Sequence, residues 1–434
     1  MKVSLISLGC PKNLIDSEIL LGYLVKSNYT LTADWQNSDV CIVNTCAFIN
    51  SAVKEAEQWI AKALAHKKQG HIKKVIVAGC LCQRYQHTLL NKFPDIDGII
   101  GIDNLAEINK VIVSKEKIIK IYYSPHNLYN HQTPRLISTN HYAYLKIADG
   151  CDNFCSYCLI PYIRGPFRSR KITDIVKEAK QLAQFGVKEL ILVAQDTTRY
   201  GEDIYHQFSL ARLLKHLVRI KDIQWFRVLY THPAHWTDDL IKIYQNNPKI
   251  CRYVDLPLQH ISDRLLRLMN RPYNRKMIEK LLAKLKKIPD IAIRTSLIVG
   301  FPGETDKDFE ELLEFIKEQQ FTHLGCFKYS REKGTIAYNL PYQLSEKIKK
   351  ERYDIIMKTQ QQISLKRMNS FVGKSVEVII DRKSPARRYN YLARTQYDAP
   401  DIDGVVYLKT NKHDIGAIQI VKIIAAQPYA LIAE

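Results

Sequence analysis

Three cysteines lie within eight residues in the middle of the chain, at Cys151, Cys155 and Cys158. Their thiolates are close enough along the chain to meet at one metal centre, and three thiols cannot all pair off as disulfides. Zinc usually takes four closed ligands, commonly supplied as two separate pairs. Soft thiolates in short runs are the usual ligands of iron–sulfur clusters. The spacing therefore favours a cluster held by three cysteines, with one iron left open, over a zinc site or three unrelated thiols.

A second set of cysteines ends three strand-like segments of the N-terminal third, at Cys10, Cys46 and Cys80. The segments predicted as strands are 3–8, 40–44, 75–78 and 98–100, with helical spacing at 17–26 and 51–67. This alternation predicts a parallel sheet with helices on its faces, and such sheets bind ligands at the carboxyl ends of their strands. We expect a second three-cysteine cluster there, the alternative being small buried residues that end strands. Cys41 and Cys82 are interpreted as packing thiols.

The composition suits a large globular protein with an anionic partner. The 434 residues are 46% hydrophobic, and this length predicts about two to four domains. The 64 basic and 44 acidic residues leave a net charge of +20. That charge favours RNA or a ribonucleoprotein as partner over a merely solvated basic surface. No export signal and no apolar run of about 18 residues occurs, so we expect a cytoplasmic protein with no membrane contact and with thiols available for metals.

The central sequence predicts a larger α/β unit that follows a linker. Residues 116–140 show little periodicity and contain Pro125, Asn127, His131 and Pro134, which suits a linker. Six strand-like segments then alternate with helical ones, at 144–148, 189–194, 225–229, 253–256, 294–299 and 323–328. Six strand–helix units are too few for a closed eightfold barrel. We therefore predict an open, partial barrel with its chemistry at the carboxyl ends of the strands, where the central cysteine loop follows the first strand.

The central cysteine loop, with Tyr157 before its last cysteine, resembles the radical S-adenosylmethionine superfamily. Further segments that match this superfamily are 194–198, 256–260 and 298–305. The resemblance implies a four-iron four-sulfur cluster whose open iron binds S-adenosylmethionine, which is cleaved to give a 5′-deoxyadenosyl radical. It also implies a set of residues that line the bound S-adenosylmethionine. These are Tyr157, Gln195, Gln259, Arg294, Gly300 and Glu304.

The segments around Cys10, Cys46 and Cys80 resemble the methylthiotransferases, and this resemblance extends over nearly the whole chain. It implies a second four-iron four-sulfur cluster on these cysteines, which carries sulfur and accepts a methyl group from one S-adenosylmethionine. Segments resembling the branch that modifies the β-carbon of an aspartate in small-subunit ribosomal protein S-twelve are 133–135, 160–161 and 325–330. The two clusters must then face one cavity. An electron donor such as flavodoxin or ferredoxin and a sulfur source are the further partners.

The C-terminal sequence predicts a small antiparallel β-barrel after a long helical stretch at 344–368. Its short strands are predicted at 376–380, 405–408 and 418–421, with turns at Asp403 and His413. The barrel resembles the TRAM domain, which grips RNA in tRNA-modifying relatives. Residues 371–434 hold nine basic and seven acidic residues, whereas a phosphate-binding module should be markedly basic. We therefore expect this barrel, with its acidic turn at 398–403, to dock on a basic protein, the alternative being a purely structural barrel.

The sequence thus predicts an α/β protein with four regions. They are an N-terminal methylthiotransferase domain at 1–115, a linker at 116–140, a radical S-adenosylmethionine domain at 141–367 and a TRAM-like domain at 368–434. Two other functions stay open at this point. A tRNA adenosine methylthiotransferase would use the same cysteines on RNA, and a non-catalytic iron–sulfur protein that binds RNA would fit the positive charge.

Other polar residues carry weaker signals. The equal candidates to bind the target aspartate are Lys146, Arg164, Arg168 and Arg294. His232 and His235 have the spacing of metal ligands. They are expected to be structural, because no acidic or cysteine residue adjoins them in the sequence. No catalytic residue is assigned beyond the cluster ligands.

Overall fold

The computed structural model describes residues 1–123, 128–409 and 414–434. Its first elements are β1 (Lys2–Ser7), α1 (Pro11–Lys26), β2 (Thr30–Leu31), β3 (Val40–Thr45), α2 (Asn50–Lys68), β4 (Lys74–Gly79), α3 (Cys80–Tyr85), α4 (His87–Lys92), β5 (Gly98–Ile100), α5 (Ile108–Val113) and β6 (Ile118–Lys120). The strands form one parallel sheet in the order β2-β1-β3-β4-β5-β6. β3 is buried along its whole length, as expected for a central strand of a parallel sheet that helices cover on both faces.

A second α/β unit follows. Its elements are β7 (Tyr142–Lys146), β8 (Ala148–Asp149), α6 (Ile160–Arg164), β9 (Arg168–Ser169), α7 (Ile172–Gln184), β10 (Glu189–Val193), α8 (Glu202–Tyr205), α9 (Leu210–Leu217), β11 (Trp225–Val228), α10 (Asp238–Asn246), β12 (Tyr253–Asp255), α11 (Asp263–Leu268), α12 (Arg275–Leu285), β13 (Ala292–Val299), α13 (Asp306–Gln319) and β14 (His323–Lys328). Two parallel sheets, β7-β10-β11 and β12-β13-β14, are joined by a parallel bridge between Phe226 and Ile250. Six parallel strands in this order form the open partial barrel that the sequence predicts.

The C-terminal elements are α14 (Glu346–Asn369), β15 (Ser375–Lys383), β16 (Tyr391–Thr395), β17 (Val405–Leu408), β18 (Ile418–Gln427) and β19 (Ala430–Ala433). The five strands close into a barrel in the order β15-β16-β17-β19-β18. This confirms the predicted small barrel. One pair of neighbouring strands, β17 and β19, is parallel, and the other four pairs of the barrel are antiparallel. Closure leaves the barrel without the exposed strand edges that favour aggregation. The turn predicted at His413 lies outside the described residues.

The region predicted as a linker takes part in the fold. Its residues 118–120 are β6, which pairs with β5 at the edge of the first sheet. Arg135 forms ion pairs with Glu18 of α1 at 2.6 Å and with Glu178 of α7 at 2.7 Å. Pro125 and Asn127 lie outside the described residues. The segment therefore extends the first sheet before residues 124–127 and links the first two units after them, and the region boundaries stay a prediction.

One hydrophobic core joins the three parts of the chain. It contains Ile15 of α1, Tyr144 of β7 and Ile379 of β15, all buried. A buried ion-pair network adds a polar contact, in which Glu189 of β10 binds both Arg227 and Arg394 of β16. Buried charges of this kind stay favourable only while each keeps its partner, so the network fixes how the C-terminal barrel docks. Within the described ranges, no helix is both long and apolar enough to span a bilayer.

Candidate metal centres

Cys151, Cys155 and Cys158 lie in the loop between β8 and α6, at the carboxyl end of the partial barrel. The Cys155 sulfur interacts electrostatically with those of the other two, so the three thiols lie together. Burial raises the pKa of the Cys151 thiol to about 11, and it raises the Cys158 pKa as well. Ionisation of these buried thiols therefore needs positive charge or hydrogen-bond donors at the site.

Two donors point at these sulfurs. Nη1 of Arg271 lies 3.4 Å from the Cys155 Sγ. The backbone N–H of Ile160 lies 3.4 Å from the Cys158 Sγ. Hydrogen bonds and positive charge favour anionic sulfur over the neutral thiol. Three soft donors with such support fit an iron–sulfur cluster that has three protein ligands.

Cys10, Cys46 and Cys80 lie at the carboxyl ends of β1, β3 and β4, as the sequence predicts. Cys10 is the N-cap residue of α1 and Cys80 is the first residue of α3. The three sulfurs interact electrostatically with one another, so they converge at one place above the sheet. Gly9 has φ +96°, and a Cβ there would lie 2.6 Å from the Cys46 Cβ. Glycine is thus required for the β1 and β3 ends to approach this closely.

The N-terminal thiols differ in their tendency to ionise. Burial raises the pKa of Cys80 to about 12 and also raises that of Cys46. Burial acts in the same direction on Cys10, but the charges of Lys12 and Arg164, together with backbone hydrogen bonds from Asn13 and Lys12, hold the Cys10 pKa below its ordinary value. A helix N-terminus favours the thiolate further. Positive charge and a helix N-terminus therefore favour anionic sulfur at this site, as the donors do at the central site.

Arg164 of α6 connects the two cysteine sites. Its Nη2 lies 3.5 Å from the Cys80 Sγ and 2.8 Å from Asp16 of α1. Its Nη1 lies 2.9 Å from Asp149, which precedes Cys151 by two residues. The N-terminal sheet edge therefore lies over the mouth of the partial barrel, as expected for two sites that face one cavity.

The basic candidates for binding a target aspartate all have carboxylate partners. Lys146 binds Asp16 at 2.6 Å and Asp149 at 3.0 Å. The other ion pairs are Arg164 with the same two aspartates, Arg168 with Asp103, and Arg294 with Asp255 and Asp403. Each of these cations is already neutralised by the protein, so none of the four stands out as a receptor for a further carboxylate.

The sequence interpretation missed Lys12, which follows the Cys10–Pro11 pair at the start of α1. Its side chain is buried, and its Nζ lies 3.3 Å from the centroid of the Tyr230 ring. Burial lowers the pKa of Lys12, and the neighbouring Cys10 acts in the opposite direction. A lysine two positions after a cysteine of the predicted N-terminal cluster was the available signal.

The residues expected to line S-adenosylmethionine differ in their surroundings. Gln195 donates from Nε2 to Asp149 at 3.0 Å, and its buried Oε1 accepts no hydrogen bond from any described residue. Tyr157, within the cysteine loop, packs against a buried hydrophobic cluster that contains Phe301. Gln259 has φ +69° and bridges in parallel to Leu297 of β13. Among the described residues of this group, Gln195 therefore has the buried side-chain polar atom that lacks a hydrogen-bond partner.

Glu304 and Gly300, which were also expected to line S-adenosylmethionine, make their described contacts within the protein. Oε2 of Glu304 accepts hydrogen bonds from the backbone N–H of Gly300 at 2.6 Å and of Phe301 at 3.1 Å. Its Oε1 pairs with Arg352 of α14 at 2.7 Å. A Cβ on Gly300 would lie 2.3 Å from the Lys349 side chain, so this position faces α14. The contacts of Glu304 and Gly300 thus close the β13–α13 loop against the long helix.

The fold brings an acidic residue, Asp196, beside His232 and His235, although none adjoins them in the sequence. The ligand atoms of Asp196, His232 and His235 lie within 4.8 Å of one another, because the β10 and β11 ends are adjacent. His235 Nδ1 lies 2.7 Å from Asp196 Oδ2, which also accepts from Asn153 of the cysteine loop at 2.9 Å. The two imidazole rings are stacked with their centroids 4.5 Å apart, so the nitrogen lone pairs in the two ring planes are roughly parallel. The geometry suits a hydrogen-bond network that anchors the loop.

Three family models match separate parts of the chain. They are the uncharacterized protein family UPF0004 at residues 2–101, the radical SAM superfamily at 145–316 and the TRAM domain at 372–434. Curated relatives match almost from end to end. The ribosomal protein uS12 methylthiotransferase RimO of Trichlorobacter lovleyi is 44% identical, over 100% of this chain and 98% of the relative. The RimO of Pelotomaculum thermopropionicum is 48% identical, over 94% and 93%.

Among solved structures, the radical S-adenosylmethionine methyltransferase TsrM of Kitasatospora setae superposes with a TM-score of 0.56 at 14% identity. The match covers 75% of this chain and 72% of that chain, and it shows a shared fold. The fold and the matched models define a radical S-adenosylmethionine enzyme with an iron–sulfur cluster. Within that class, the chain belongs to the RimO family of methylthiotransferases.

Proposed function

We propose that this enzyme attaches a methylthio group to the β-carbon of an aspartyl residue in ribosomal protein uS12, the small-subunit protein S-twelve. The relatives that match nearly the whole chain carry this activity in their names. The structural observation that carries the proposal is the contact of Arg164 with Cys80 and Asp149. It joins a site suited to radical generation to a second sulfur site, which a reaction that inserts sulfur at an unactivated carbon requires. No ordinary base removes that hydrogen, so the cofactors carry the chemistry.

Each cysteine set supplies the ligands for one four-iron four-sulfur cluster. We assign Cys151, Cys155 and Cys158 to one cluster and Cys10, Cys46 and Cys80 to the other. When bound, the first cluster and one S-adenosylmethionine supply a 5′-deoxyadenosyl radical, while the second cluster supplies the sulfur and a second S-adenosylmethionine the methyl group. A flavodoxin or ferredoxin as reductant and a separate sulfur source complete the proposal.

The chain's own residues hold these sites in place and keep water out. Arg271 donates to the Cys155 sulfur and, through Nη2, to the Pro257 carbonyl at 3.0 Å, so it links the loop to the strand end after β12. Asp196 holds the loop through Asn153. Gln195, with its free Oε1, is the best-supported contact for S-adenosylmethionine among the expected residues. These groups act by position and by charge, and none of them needs to change its protonation state.

The C-terminal barrel does not offer the acidic turn that was expected to dock on a basic protein. Asp403 is 3% exposed and pairs with Arg294 at 3.1 Å, and Asp398 is buried as well. Only Asp401 of the three aspartates faces outward. The turn is acidic because it neutralises basic residues of the central unit. The end of β15 and the loop after it instead expose basic residues, which suits a contact with ribosomal RNA close to the protein substrate. They are Arg382, Lys383, Arg387 and Arg388.

Mass spectrometry tests the proposal against its competitors. uS12 is isolated from cells with and without the gene, and from reactions with anaerobically reconstituted enzyme, S-adenosylmethionine and reductant. We expect a gain equal to one hydrogen replaced by SCH3 on a single aspartate, only when the enzyme is present. A methylthio group on tRNA adenosine with unmodified uS12 would instead identify the tRNA-modifying reaction. Tight RNA binding without cleavage of S-adenosylmethionine would identify a non-catalytic protein.

A further inference from the structure

Lys12 is a buried cation that lacks a carboxylate partner. It is 8% exposed. Among the described residues, no aspartate or glutamate oxygen lies within 4.0 Å of its Nζ, whereas the neighbouring Lys146 has two such partners. The contact of its ammonium group is the face of the Tyr230 ring at 3.3 Å. A cation–π contact only partly replaces the hydration that burial removes from an ammonium group.

The position of Lys12 relates it to both cysteine sites. It is the second residue of α1, two positions after Cys10. Tyr230, on which it packs, is the second residue after β11, at the barrel mouth, and adopts φ +59°. A non-glycine residue in this left-handed region is held there by its surroundings, here by hydrogen bonds of its backbone to Asp255 and Thr197. Lys12 therefore lies where the N-terminal unit faces the barrel opening.

The charges around Lys12 leave room for one more negative group. Cys10, Asp149 and Asp255 interact with its ammonium group at longer range, and Arg164 opposes it. The two aspartates already bind other cations at shorter distance: Asp149 binds Lys146 and Arg164, and Asp255 binds Arg294. Lys146, Arg164, Arg168 and Arg294 are likewise neutralised by carboxylates. The Arg271 guanidinium is held by the Cys155 sulfur and the Pro257 carbonyl. Among these described residues, Lys12 is therefore the cation that an incoming carboxylate can pair with.

We propose that Lys12 binds the side-chain carboxylate of the substrate aspartate and so presents the adjacent β-carbon between the two cysteine sites. This inference rests on the proposed function, whose substrate it specifies in chemical terms. A protein aspartate supplies the missing counter-charge, and the Tyr230 ring forms the floor on which the ion pair lies. An asparagine at the same position offers no charge and loses this contact. Lys12 is then a residue that determines specificity for a carboxylate next to the reacting carbon.

Binding of the substrate and of its amide analogue tests this role. Two fluorescently labelled forms of uS12 are prepared, one with the target aspartate and one with asparagine at that position. Each is titrated with reconstituted enzyme in the presence of S-adenosylmethionine, and fluorescence anisotropy gives its dissociation constant. We expect the native enzyme to prefer the aspartate form by about tenfold or more, since a buried charge-assisted hydrogen bond is worth roughly 1.5–3 kcal/mol. Lys12→Met and Lys12→Gln should bind both forms equally. Lys12→Arg, which keeps the charge, should retain part of the preference.

Lys26→Met is the matched control, because it removes an exposed lysine from the last turn of the same helix. It should keep the native preference. The iron content of each variant is measured first. If either Lys12→Met or Lys12→Gln fails to take up iron, the other of these two neutral variants is used. Equal weakening for both forms of uS12, or an unchanged preference, would overturn the role and leave Lys12 as a neutraliser of the Cys10 site. Absence of methylthiolated uS12 from the native enzyme would instead reject the proposed function itself.

Discussion

The guanidinium of Arg164 lies 3.5 Å from the sulfur of Cys80, although the two residues are 84 positions apart in the chain. Arg164 belongs to the helix that follows the central cysteine loop, and Cys80 to the N-terminal sheet edge. The contact therefore links the two regions that carry the sulfur sites. It also places a fixed positive charge beside the three N-terminal thiols, where it favours anionic sulfur.

Replacement of Arg164 should destabilise the protein strongly. Arg164→Met leaves Asp16 and Asp149 buried, with Lys146 as their remaining close cation. Removal of one partner from a buried ion pair costs roughly 3–5 kcal/mol. The Arg275–Glu279 pair is exposed, and Arg275→Met should cost less than about 1 kcal/mol. Thermal unfolding under anaerobic conditions measures both, and equal effects would contradict the bridging role of Arg164.

Cys80 and Cys82 should behave differently despite their proximity. The buried Cys82 donates its thiol hydrogen to the Val77 carbonyl at 3.2 Å, as a neutral packing residue does. Cys80→Ala should therefore lose about half of the bound iron, and Cys82→Ala should keep it, because thiolate ligands hold such clusters. Iron and sulfide analysis of reconstituted protein measures the difference. Full iron content in Cys80→Ala would remove Cys80 from the ligand set.

The acidic turn of the C-terminal barrel should act within the protein. Asp403 pairs with Arg294 and accepts a hydrogen bond from the Tyr253 hydroxyl at 2.7 Å. Asp403→Asn should lower stability by about 1–3 kcal/mol, because it weakens a buried charged hydrogen bond. It should also make the segment after α14 more sensitive to proteolysis. Asp401→Asn, at the exposed position of the same turn, is the control, and the same protease sensitivity in both variants would contradict this contact.

His260 should make the stability depend on pH. Burial lowers its pKa to about 3, from an ordinary value of 6.5, and its Nδ1 accepts a hydrogen bond from the Ser262 N–H at 3.0 Å. Between these two values the unfolded chain binds the additional proton, so stability is full above about pH 6.5 and falls as the pH is lowered. His260→Asn should show a shallower fall from about pH 6.5 to about pH 5. Identical slopes in denaturant titrations would show that His260 does not contribute.

Local patterns in the sequence predicted the parts of the site that depend on strand order. The three N-terminal cysteines end neighbouring parallel strands, so topology alone brings them together. Long-range ion pairs leave no such pattern: Asp403 lies 109 residues from Arg294, and Asp196 lies 39 from His235. These pairs were therefore missed. The segment around Glu304 matches a site-like motif and its contacts also close a loop, so its expected place at S-adenosylmethionine stays a prediction.

The division of work between the two cysteine sites is tested most directly by triple variants of the reconstituted enzyme. Alanine replaces all three cysteines of one site, and iron content, 5′-deoxyadenosine and methylthiolated uS12 are measured in the same reactions. We expect each variant to hold about half of the native iron. Loss of the N-terminal set should abolish methylthio transfer but leave 5′-deoxyadenosine formation, whereas loss of the central set should abolish both. Methylthiolated uS12 from the variant without Cys10, Cys46 and Cys80 would contradict the two-site reaction.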